Sequence, residues 1–131
     1  MCGIVGFSCH NDNAEAILSE MMERIRHRGP DSGGMYLNGE IALGHRRLSI
    51  IDITEQGDQP IFNEDRSIVL VFNGEIYNYQ DIKKELLAAG HIFKTETDSE
   101  VLVHGYEEYG TDLLQKFFHR THFSLPFSNF I

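Results

Sequence analysis

The chain begins Met1-Cys2-Gly3-Ile4-Val5-Gly6-Phe7, a short apolar run in which a cysteine directly follows the initiator methionine. Removal of Met1 would give Cys2 both a thiol nucleophile and a free α-amine, whose reference pKa values are about 8.5 and about 7.7–8.0. Because these values are close, the amine can act as the base that activates the thiol. The same residues also fit a buried strand in which Cys2 is an ordinary small apolar residue. These seven residues leave both interpretations open.

Length and composition restrict the class of protein. The 131 residues fit one domain, with 41% hydrophobic and 24% charged residues, as is typical of globular proteins. A net charge of −9 argues against a nucleic-acid partner and against an anionic membrane surface. The two cysteines, Cys2 and Cys9, form no disulfide framework, and no secretory signal or membrane-length apolar run is recognisable. We therefore expect a cytoplasmic protein with reduced thiols.

Helical and strand-like patterns mix along the chain. Apolar residues recur with helical spacing from Ala14 to Ile25, and Gly29-Pro30 ends that helix. Residues 68–72 are apolar on both faces and predict a strand that is covered on both sides. The mixture predicts an α+β domain. The other predicted elements are strands at 33–38, 40–45 and 48–51 with an Asn38-Gly39 turn, a helix from Asn78 to Ala89 closed by Gly90, a strand at Ile92-Phe93, a helix from Thr97 through Tyr109 to Gly110, and a short helix from Asp112.

Two adjacent arginines, Arg46 and Arg47, lie at the end of a predicted strand. Successive side chains of a strand point to opposite faces, so one of the pair must face inward. An inward arginine needs an anion, which is either a protein carboxylate or a group on a ligand. Without further context, a structural ion pair is the favoured interpretation.

The dipeptide Asn73-Gly74 follows the predicted strand at 68–72. Asn73 supplies an amide donor and Gly74 an unobstructed backbone N–H, which are the components of an oxyanion hole. In isolation, the same dipeptide is more typical of a hairpin turn.

The stretch Thr97-Asp98-Ser99-Glu100 has the form of a capping box, with Thr97 as the cap and Glu100 three residues later. Asp98 would then lie in the first helical turn, where the helix dipole keeps its carboxylate ionised. An ionised carboxylate at that place can receive an ammonium group, although Asp98 can also be a simple cap.

The histidines show no short paired spacing of the kind found in zinc sites. His104 falls within a predicted helix, where a packed or solvated side chain is the simpler interpretation. We therefore predict no metal site.

Taken together, six stretches resemble the glutaminase domain of class II glutamine amidotransferases, which use an N-terminal nucleophile. The resemblance covers residues 1 to about 116, and the order of the stretches is that of the family. Arg-Gly-Pro-Asp at 28–31 and Arg-Leu-Ser-Ile at 47–50 are most similar to the asparagine synthetase branch. The six stretches are Met1-Cys2-Gly3-Ile4-Val5-Gly6, Arg26-His27-Arg28-Gly29-Pro30-Asp31, Gly44-His45-Arg46-Arg47-Leu48-Ser49-Ile50, Gln59-Pro60, Phe72-Asn73-Gly74-Glu75-Ile76-Tyr77-Asn78 and Thr97-Asp98-Ser99-Glu100.

The resemblance implies a four-layer αββα sandwich of the N-terminal-nucleophile hydrolase type. It also implies hydrolysis of L-glutamine to glutamate and ammonia through a thioester on Cys2, for asparagine biosynthesis. Asn73 and the Gly74 N–H would hold the oxyanion. The substrate-binding roles implied are Arg47 for the α-carboxylate with backbone support from Leu48, Ser49, Ile50 and Ile51, and Asp98 for the α-ammonium with help from Gly74 and Glu75.

The resemblance implies no cofactor for this chain. In the family, ATP and Mg²⁺ serve a separate synthetase domain, which receives the ammonia and activates aspartate. No segment of that kind is recognisable in these residues. The expected partners are therefore L-glutamine and a synthetase domain or chain.

The family pattern breaks off after Lys116. The final fifteen residues contain five of the nine phenylalanines and no acidic residue. We therefore expect an incomplete glutamine amidotransferase type 2 domain at residues 2–116, without the later strands, and a Phe-rich tail at 117–131. Missing strands would leave sheet edges unpaired and apolar faces open. Three hypotheses follow: an active glutaminase fragment, an inactive or unstable remnant, and a glutamine-recognising or partner-docking module without turnover.

Overall fold

The computed structural model describes residues 2–8, 12–48 and 58–118, and helices and small antiparallel sheets mix along this part of the chain. The prediction of an α+β domain is confirmed. In chain order the elements are β1 (Gly3–Ser8), α1 (Ala14–Arg24), a 3-10 turn (Arg26–Arg28), β2 (Ser32–Leu37), β3 (Ile41–Arg47), β4 (Ile61–Phe62), β5 (Val69–Leu70), α2 (Tyr79–Ala89), α3 (Glu100–Tyr109), a second 3-10 turn (Gly110–Asp112) and α4 (Leu113–Phe118).

The first sheet has the strand order β1-β3-β2, and both pairs are antiparallel. Asn38 begins the β2–β3 turn, and its side-chain oxygen accepts the N–H groups of Glu40 and Ile41 at 3.0 and 2.8 Å. Gly39 has φ +89°, a left-handed conformation that glycine adopts without strain. The Asn38-Gly39 turn that the sequence predicts is therefore confirmed.

One face of the first sheet packs against α1. Val5, Phe7 and Ala42 meet the buried side chains Leu18 and Met22 of the helix. This apolar stripe on α1 confirms the helical spacing that begins at Ala14.

The close approach of α1 to the sheet depends on Gly44. The Met22 side chain lies 2.8 Å from the place where a Cβ of Gly44 would be. A larger residue at position 44 would therefore push the helix away from the sheet.

The opposite face of the first sheet packs against the segment around β4. Gly34 has no side chain there, and the Gln59 carbonyl occupies the space that a Cβ would need. The rings of Tyr36 and Phe62 meet edge to face at 5.7 Å. Phe62 belongs to the second sheet, in which β4 pairs antiparallel with β5, and α3 contacts both of these strands. The contacts therefore run from α1 to the first sheet, then to the second sheet and α3.

A second apolar core lies between α2 and α3. Its buried members are Ile76, Ile82, Leu86 and Val101, with several half-buried aromatic residues packed around them. The helix α2 ends at Gly90, which has φ +103° and whose N–H donates to carbonyls of the last helical turn. The predicted helix and its glycine end are therefore confirmed.

Two predicted strands differ from the structure. Only Val69–Leu70 of the run 68–72 pairs with another strand, and these residues are half-buried. Ile92-Phe93 is not a strand, because the Ile92 N–H donates to the Glu64 carboxylate at 3.1 Å instead of pairing with another strand. Of the predicted strand at 48–51, Leu48 is irregular and residues 49–51 lie outside the described residues.

The predicted capping box is wrong. Helix α3 begins at Glu100 with Ser99 at the N-cap position. The Glu100 carboxylate accepts the N–H groups of Lys94 and Thr95, each at 2.8 Å, so it is bound to the preceding loop instead of to a capping N–H. The predicted short helix is present as α4, although it starts at Leu113 after a 3-10 turn.

Most of the predicted Phe-rich tail, residues 119–131, lies outside the described residues. Within the described ranges, no helix is long and apolar enough to cross a membrane.

Candidate active site

The half-buried Cys2 lies directly before β1 and opposite the end of β3. The Leu48 N–H donates to its sulfur at 3.4 Å, and the sulfur lies 3.9 Å from the Leu48 carbonyl oxygen. The pairing of Gly3 with Arg46 in the sheet fixes this position. The N–H and the carbonyl of Leu48 thus both lie at the sulfur and hold the Cys2 side chain at the end of β3.

The turn that follows α1 holds the residues around Cys2. Arg28 donates through Nε to the Cys2 carbonyl at 3.3 Å, and Arg46 donates through Nε to the Gly29 carbonyl at 3.0 Å. The contact requires glycine at position 29, because the Arg46 backbone fills the space that a Cβ would need there, whereas a Cβ at Gly3 would meet only the end of the Ile25 side chain, at 2.8 Å. The motif at residues 26–31 thus positions the start of β1, beyond its role as the end of a helix.

Arg47 is the inward member of the arginine pair, at 9% exposure. Its Nη1 lies 2.9 Å from Asp58 Oδ1, and Ser32 donates to the same oxygen at 2.7 Å. An inward arginine needs an anion from either the protein or a ligand. The structure shows a protein carboxylate, that of Asp58, beside Arg47. Asp58, the partner of Arg47, is not among the site residues that the sequence predicts.

His45 lies beside this ion pair and is 1% exposed. Among the described residues, neither ring nitrogen has a hydrogen-bond partner. Burial lowers the pKa of His45 below its usual value, and Arg47 acts in the same direction, while the Phe72 backbone and Asp58 oppose the shift. Burial is therefore the main cause of the lowered pKa of His45.

Asn73, Gly74 and Glu75 are exposed and precede α2. The chain enters a helix after them, so the hairpin-turn interpretation of Asn73-Gly74 does not hold. The Phe72 ring lies 2.5 Å from the place where a Cβ of Gly74 would be, so a larger residue at position 74 would require that ring to move. The Phe72 N–H donates to the side chain of Gln59, which links this segment to the Gln59-Pro60 motif.

Asp98 lies two residues before the first residue of α3, so its predicted place in the first helical turn is wrong. Its Oδ2 accepts the Ile76 N–H at 2.8 Å, and Ser99 donates to Oδ1 at 3.3 Å. The carboxylate is therefore bound to the chain that directly follows Gly74 and Glu75, the segment with which the sequence analysis grouped it.

The site residues thus fall into three small groups: Cys2 with Leu48, Arg47 with Asp58, and Asp98 with Ile76. Within the described ranges, no hydrogen bond joins Cys2 to Asn73, Gly74 or Asp98. Three predicted site residues, Ser49, Ile50 and Ile51, lie outside the described residues.

The sequence analysis predicts no metal site and interprets His104 as a packed or solvated side chain, yet His104 belongs to a group of side chains that could hold an ion. Glu64, His91, His104 and Glu107 each offer one ligand atom, and these atoms all lie within 4.8 Å of one another. None of the four belongs to the residues proposed for catalysis. We call them the histidine–glutamate cluster.

Comparison with known proteins gives one consistent family. A family model described as a glutamine amidotransferase domain matches residues 1–124, which extends past the break that the sequence analysis places after Lys116. Asparagine synthetase [glutamine-hydrolyzing] 1 of Arabidopsis thaliana is 47% identical over 117 residues, which are 87% of this chain and 20% of that protein.

Two further relatives are asparagine synthetases [glutamine-hydrolyzing]. The protein of Brassica oleracea is 46% identical and that of Sandersonia aurantiaca 43% identical, each over 87% of this chain and over 20% and 22% of the relative. The chain thus spans about a fifth of the length of the curated relatives that it matches.

Proposed function

Because the chain belongs to the glutamine amidotransferase domain family, we propose that it is the glutaminase part of an asparagine synthetase and hydrolyses L-glutamine to glutamate and ammonia. The observation that carries this proposal is the contact at Cys2. Its sulfur receives the Leu48 N–H, and the next residue back along the strand is the buried Arg47. A nucleophile and a cation for a substrate carboxylate thus lie at one end of β3.

The proposed reaction starts with loss of Met1, which exposes the α-amine of Cys2. The amine takes the thiol proton, and Sγ forms a bond to the side-chain amide carbon of glutamine. The oxyanion of the tetrahedral intermediate would accept hydrogen bonds from Asn73 and the Gly74 N–H. The C–N bond then breaks, and ammonia leaves with the proton held by the α-amine. Water cleaves the resulting thioester, which releases glutamate and restores the thiol.

The proposed substrate site matches a zwitterionic amino acid. Arg47 would bind the α-carboxylate through its planar guanidinium, with the backbone of residues 48–51 nearby. Asp98, with Gly74 and Glu75, would bind the α-ammonium group. Asp58 holds Arg47 in the structure, so a substrate carboxylate must displace Asp58 or share the guanidinium with it.

The four-layer αββα arrangement of N-terminal-nucleophile hydrolases is part of the same proposal. It is supported by the order of contacts from α1 to the first sheet, the second sheet and α3. The second sheet has two residues in each described strand, so the proposal concerns the order of the layers more than their extent.

The ammonia would pass to a synthetase domain or chain, which would supply ATP and Mg²⁺ chemistry that this chain is not proposed to perform. We also propose a cytoplasmic location.

The proposed activity is tested against two alternatives. The chain could be an unstable remnant, or it could be a module that binds glutamine without turnover.

The decisive experiment measures glutamate release from glutamine by the purified chain and by the variant Cys2→Ala. We expect Cys2→Ala to abolish turnover while calorimetry still detects glutamine binding. The matched control is Cys9→Ala, which should keep full turnover. Unchanged turnover in Cys2→Ala, or an intact mass that retains Met1 in an active preparation, would overturn the mechanism.

The same preparation separates the alternatives. Cooperative thermal unfolding with glutamine binding but no glutamate release would indicate a binding module. Unfolding without cooperativity, and without turnover, would indicate a remnant.

A further inference from the structure

The histidine–glutamate cluster lies where three parts of the chain meet. Glu64 follows β4, His91 follows the glycine that ends α2, and His104 and Glu107 lie three residues apart on α3. Residues three apart share one face of a helix, so both α3 side chains are directed to the same place. The Ile92 N–H donates to Glu64 Oε1 at 3.1 Å, which holds the loop after β4 against the end of α2.

Both histidine rings are oriented by carboxylates on α3. His104 Nε2 lies 3.4 Å from Glu100 Oε1, and His91 Nε2 lies 3.2 Å from Glu108 Oε2. In each ring, Nδ1 is therefore the nitrogen that faces the other residues of the cluster. Metal-binding histidines show this arrangement, since a carboxylate bound to one ring nitrogen fixes the tautomer and leaves the lone pair of the other nitrogen for the ion.

The two Nδ1 atoms face carboxylates on the inner side. His104 Nδ1 lies 3.3 Å from Glu64 Oε2, and His91 Nδ1 lies 3.8 Å from an oxygen of Glu64 and from one of Glu107. With Nε2 protonated toward its carboxylate, a neutral ring presents a lone pair at Nδ1. Lone pairs of nitrogen and oxygen then point at one another, which is unfavourable unless a positive charge lies between them.

His104 gives an independent indication of a ligand. It is 1% exposed, and its Nδ1 is a buried polar atom without a hydrogen-bond partner among the described residues. Although Glu64 Oε2 is near, the geometry does not make a hydrogen bond. A buried polar atom left unsatisfied destabilises the fold, so such an atom calls for an explanation.

We propose that Glu64, His91, His104 and Glu107 bind a divalent transition-metal ion of the zinc type, through the two Nδ1 atoms and one oxygen of each carboxylate. Imidazole and carboxylate donors suit zinc, whereas Mg²⁺ and Ca²⁺ prefer oxygen ligands alone. A site with four protein ligands is closed, as structural zinc sites are. Its role would be to join the loop after β4, the end of α2, and α3.

The distances are compatible with this ion. Zinc takes nitrogen and carboxylate oxygen at about 2.0–2.2 Å in tetrahedral geometry, which places neighbouring ligand atoms about 3.4 Å apart. The four donor atoms already lie within 4.8 Å of one another. The exposed Glu107 side chain can rotate to complete the set without moving the helix.

The test uses zinc itself and the full chain. After treatment with a chelator, zinc affinity is measured by competition with a chromophoric chelator, and the stoichiometry by elemental analysis. Because thiols also bind zinc, both measurements are repeated on the double variant Cys2→Ala, Cys9→Ala. We expect one ion per chain in both proteins, and a higher melting temperature with zinc.

Two single variants locate the site. Glu107→Gln and His91→Ala should each weaken zinc binding by at least about 10-fold, because loss of a residue that only orients a ligand already costs about 10–100-fold. The matched controls are His27→Ala and Glu40→Gln, whose side chains are exposed outside the cluster and should leave the affinity unchanged. Cobalt in place of zinc should give visible d–d bands without thiolate charge-transfer absorption.

Failure to bind zinc stoichiometrically in the folded double variant would overturn the proposal. Equal affinities in Glu107→Gln, His91→Ala and the two controls would overturn it as well. Glu107 is exposed, so Glu107→Gln is expected to fold. If His91→Ala does not fold, the zinc affinity of Glu107→Gln alone tests the site.

Discussion

His45 and His104 are both 1% exposed, yet they meet different charged groups. His45 lies on β3 beside the Arg47–Asp58 ion pair, and burial lowers its pKa. His104 lies on α3 between Glu100 and Glu64. Equal burial thus places one ring beside a cation that is already paired with a carboxylate. It places the other ring between two carboxylates that orient it toward a place that suits a cation.

The regions around the two histidines also differ in how their charged groups are paired, although both rings have buried nitrogens without a hydrogen-bond partner among the described residues. Near His45, Arg47 and Ser32 both bind Asp58, so a charged ligand there has to compete for a partner. Near His104, the unpartnered Nδ1 faces the Glu64 carboxylate, so a cation there adds an interaction without displacing one. Three measurements separate the two regions.

The largest effect is expected from Arg47→Met, which removes the cation beside His45. Hydrogen bonds to charged groups are worth about 1.5–3 kcal/mol, so kcat/KM for glutamine should fall by up to about 10²-fold. Steady-state kinetics of glutamate release measures this loss. Glu107→Gln, in the other region, should leave kcat/KM unchanged below its melting temperature. Equal losses in both variants would mean that the two regions do not act separately.

A smaller effect is expected from Glu100→Gln, which alters the group that orients His104. Glu100 is 2% exposed and accepts two backbone N–H groups. An amide supplies only one acceptor atom, so the free energy of unfolding should fall by about 1–3 kcal/mol. Urea denaturation measures it. The control is Glu96→Gln: Glu96 has a side chain that is 93% exposed and should contribute much less. An equally large loss of unfolding free energy in Glu96→Gln would contradict the assignment of the effect to the buried hydrogen bonds of Glu100.

The smallest effect is expected from pH, through His45. Because the pKa of His45 is lowered from 6.5 in the folded chain, the unfolded chain takes up the proton first as pH falls. The contribution of His45 to the free energy of unfolding is therefore fully present above about pH 6.5. It declines as the pH falls from there toward the folded-state pKa. The urea midpoint should follow this trend.

His45→Phe should flatten that decline, because it removes the titrating ring and keeps a similar volume. An identical pH profile in His45→Phe would assign the decline to other groups.

Elements that depend on neighbouring residues could be predicted from the sequence, such as the Asn38-Gly39 turn, the spacing on α1 and the glycine that ends α2. The resemblance also groups Cys2 with Arg47, and in the structure the Cys2 sulfur contacts Leu48, the residue after Arg47. What local signals did not predict was Asp58 as the partner of Arg47, since that contact depends on how the chain returns after the residues at 49–57.

The histidine–glutamate cluster could not be predicted in this way. Its residues come from a loop, a helix end and a helix face, so no short spacing marks them. The capping box failed for a related reason: Glu100 binds the backbone of Lys94 and Thr95 because the loop before α3 folds back over it. Ile92-Phe93 has the composition of a strand, but Phe93 packs into the second core and the Ile92 N–H is taken by Glu64.

The ion pair between Arg47 and Asp58 has a consequence for selectivity. Because Asp58 is held on the same chain, it competes with any carboxylate from solution for the Arg47 guanidinium. A simple carboxylic acid has only that one interaction with which to displace Asp58. An amino acid that also places its ammonium group on a second carboxylate gains binding free energy in the same event, so it can displace Asp58 at a lower concentration. Asp58 would thus discriminate in favour of amino acids over the many simple acids of a cell.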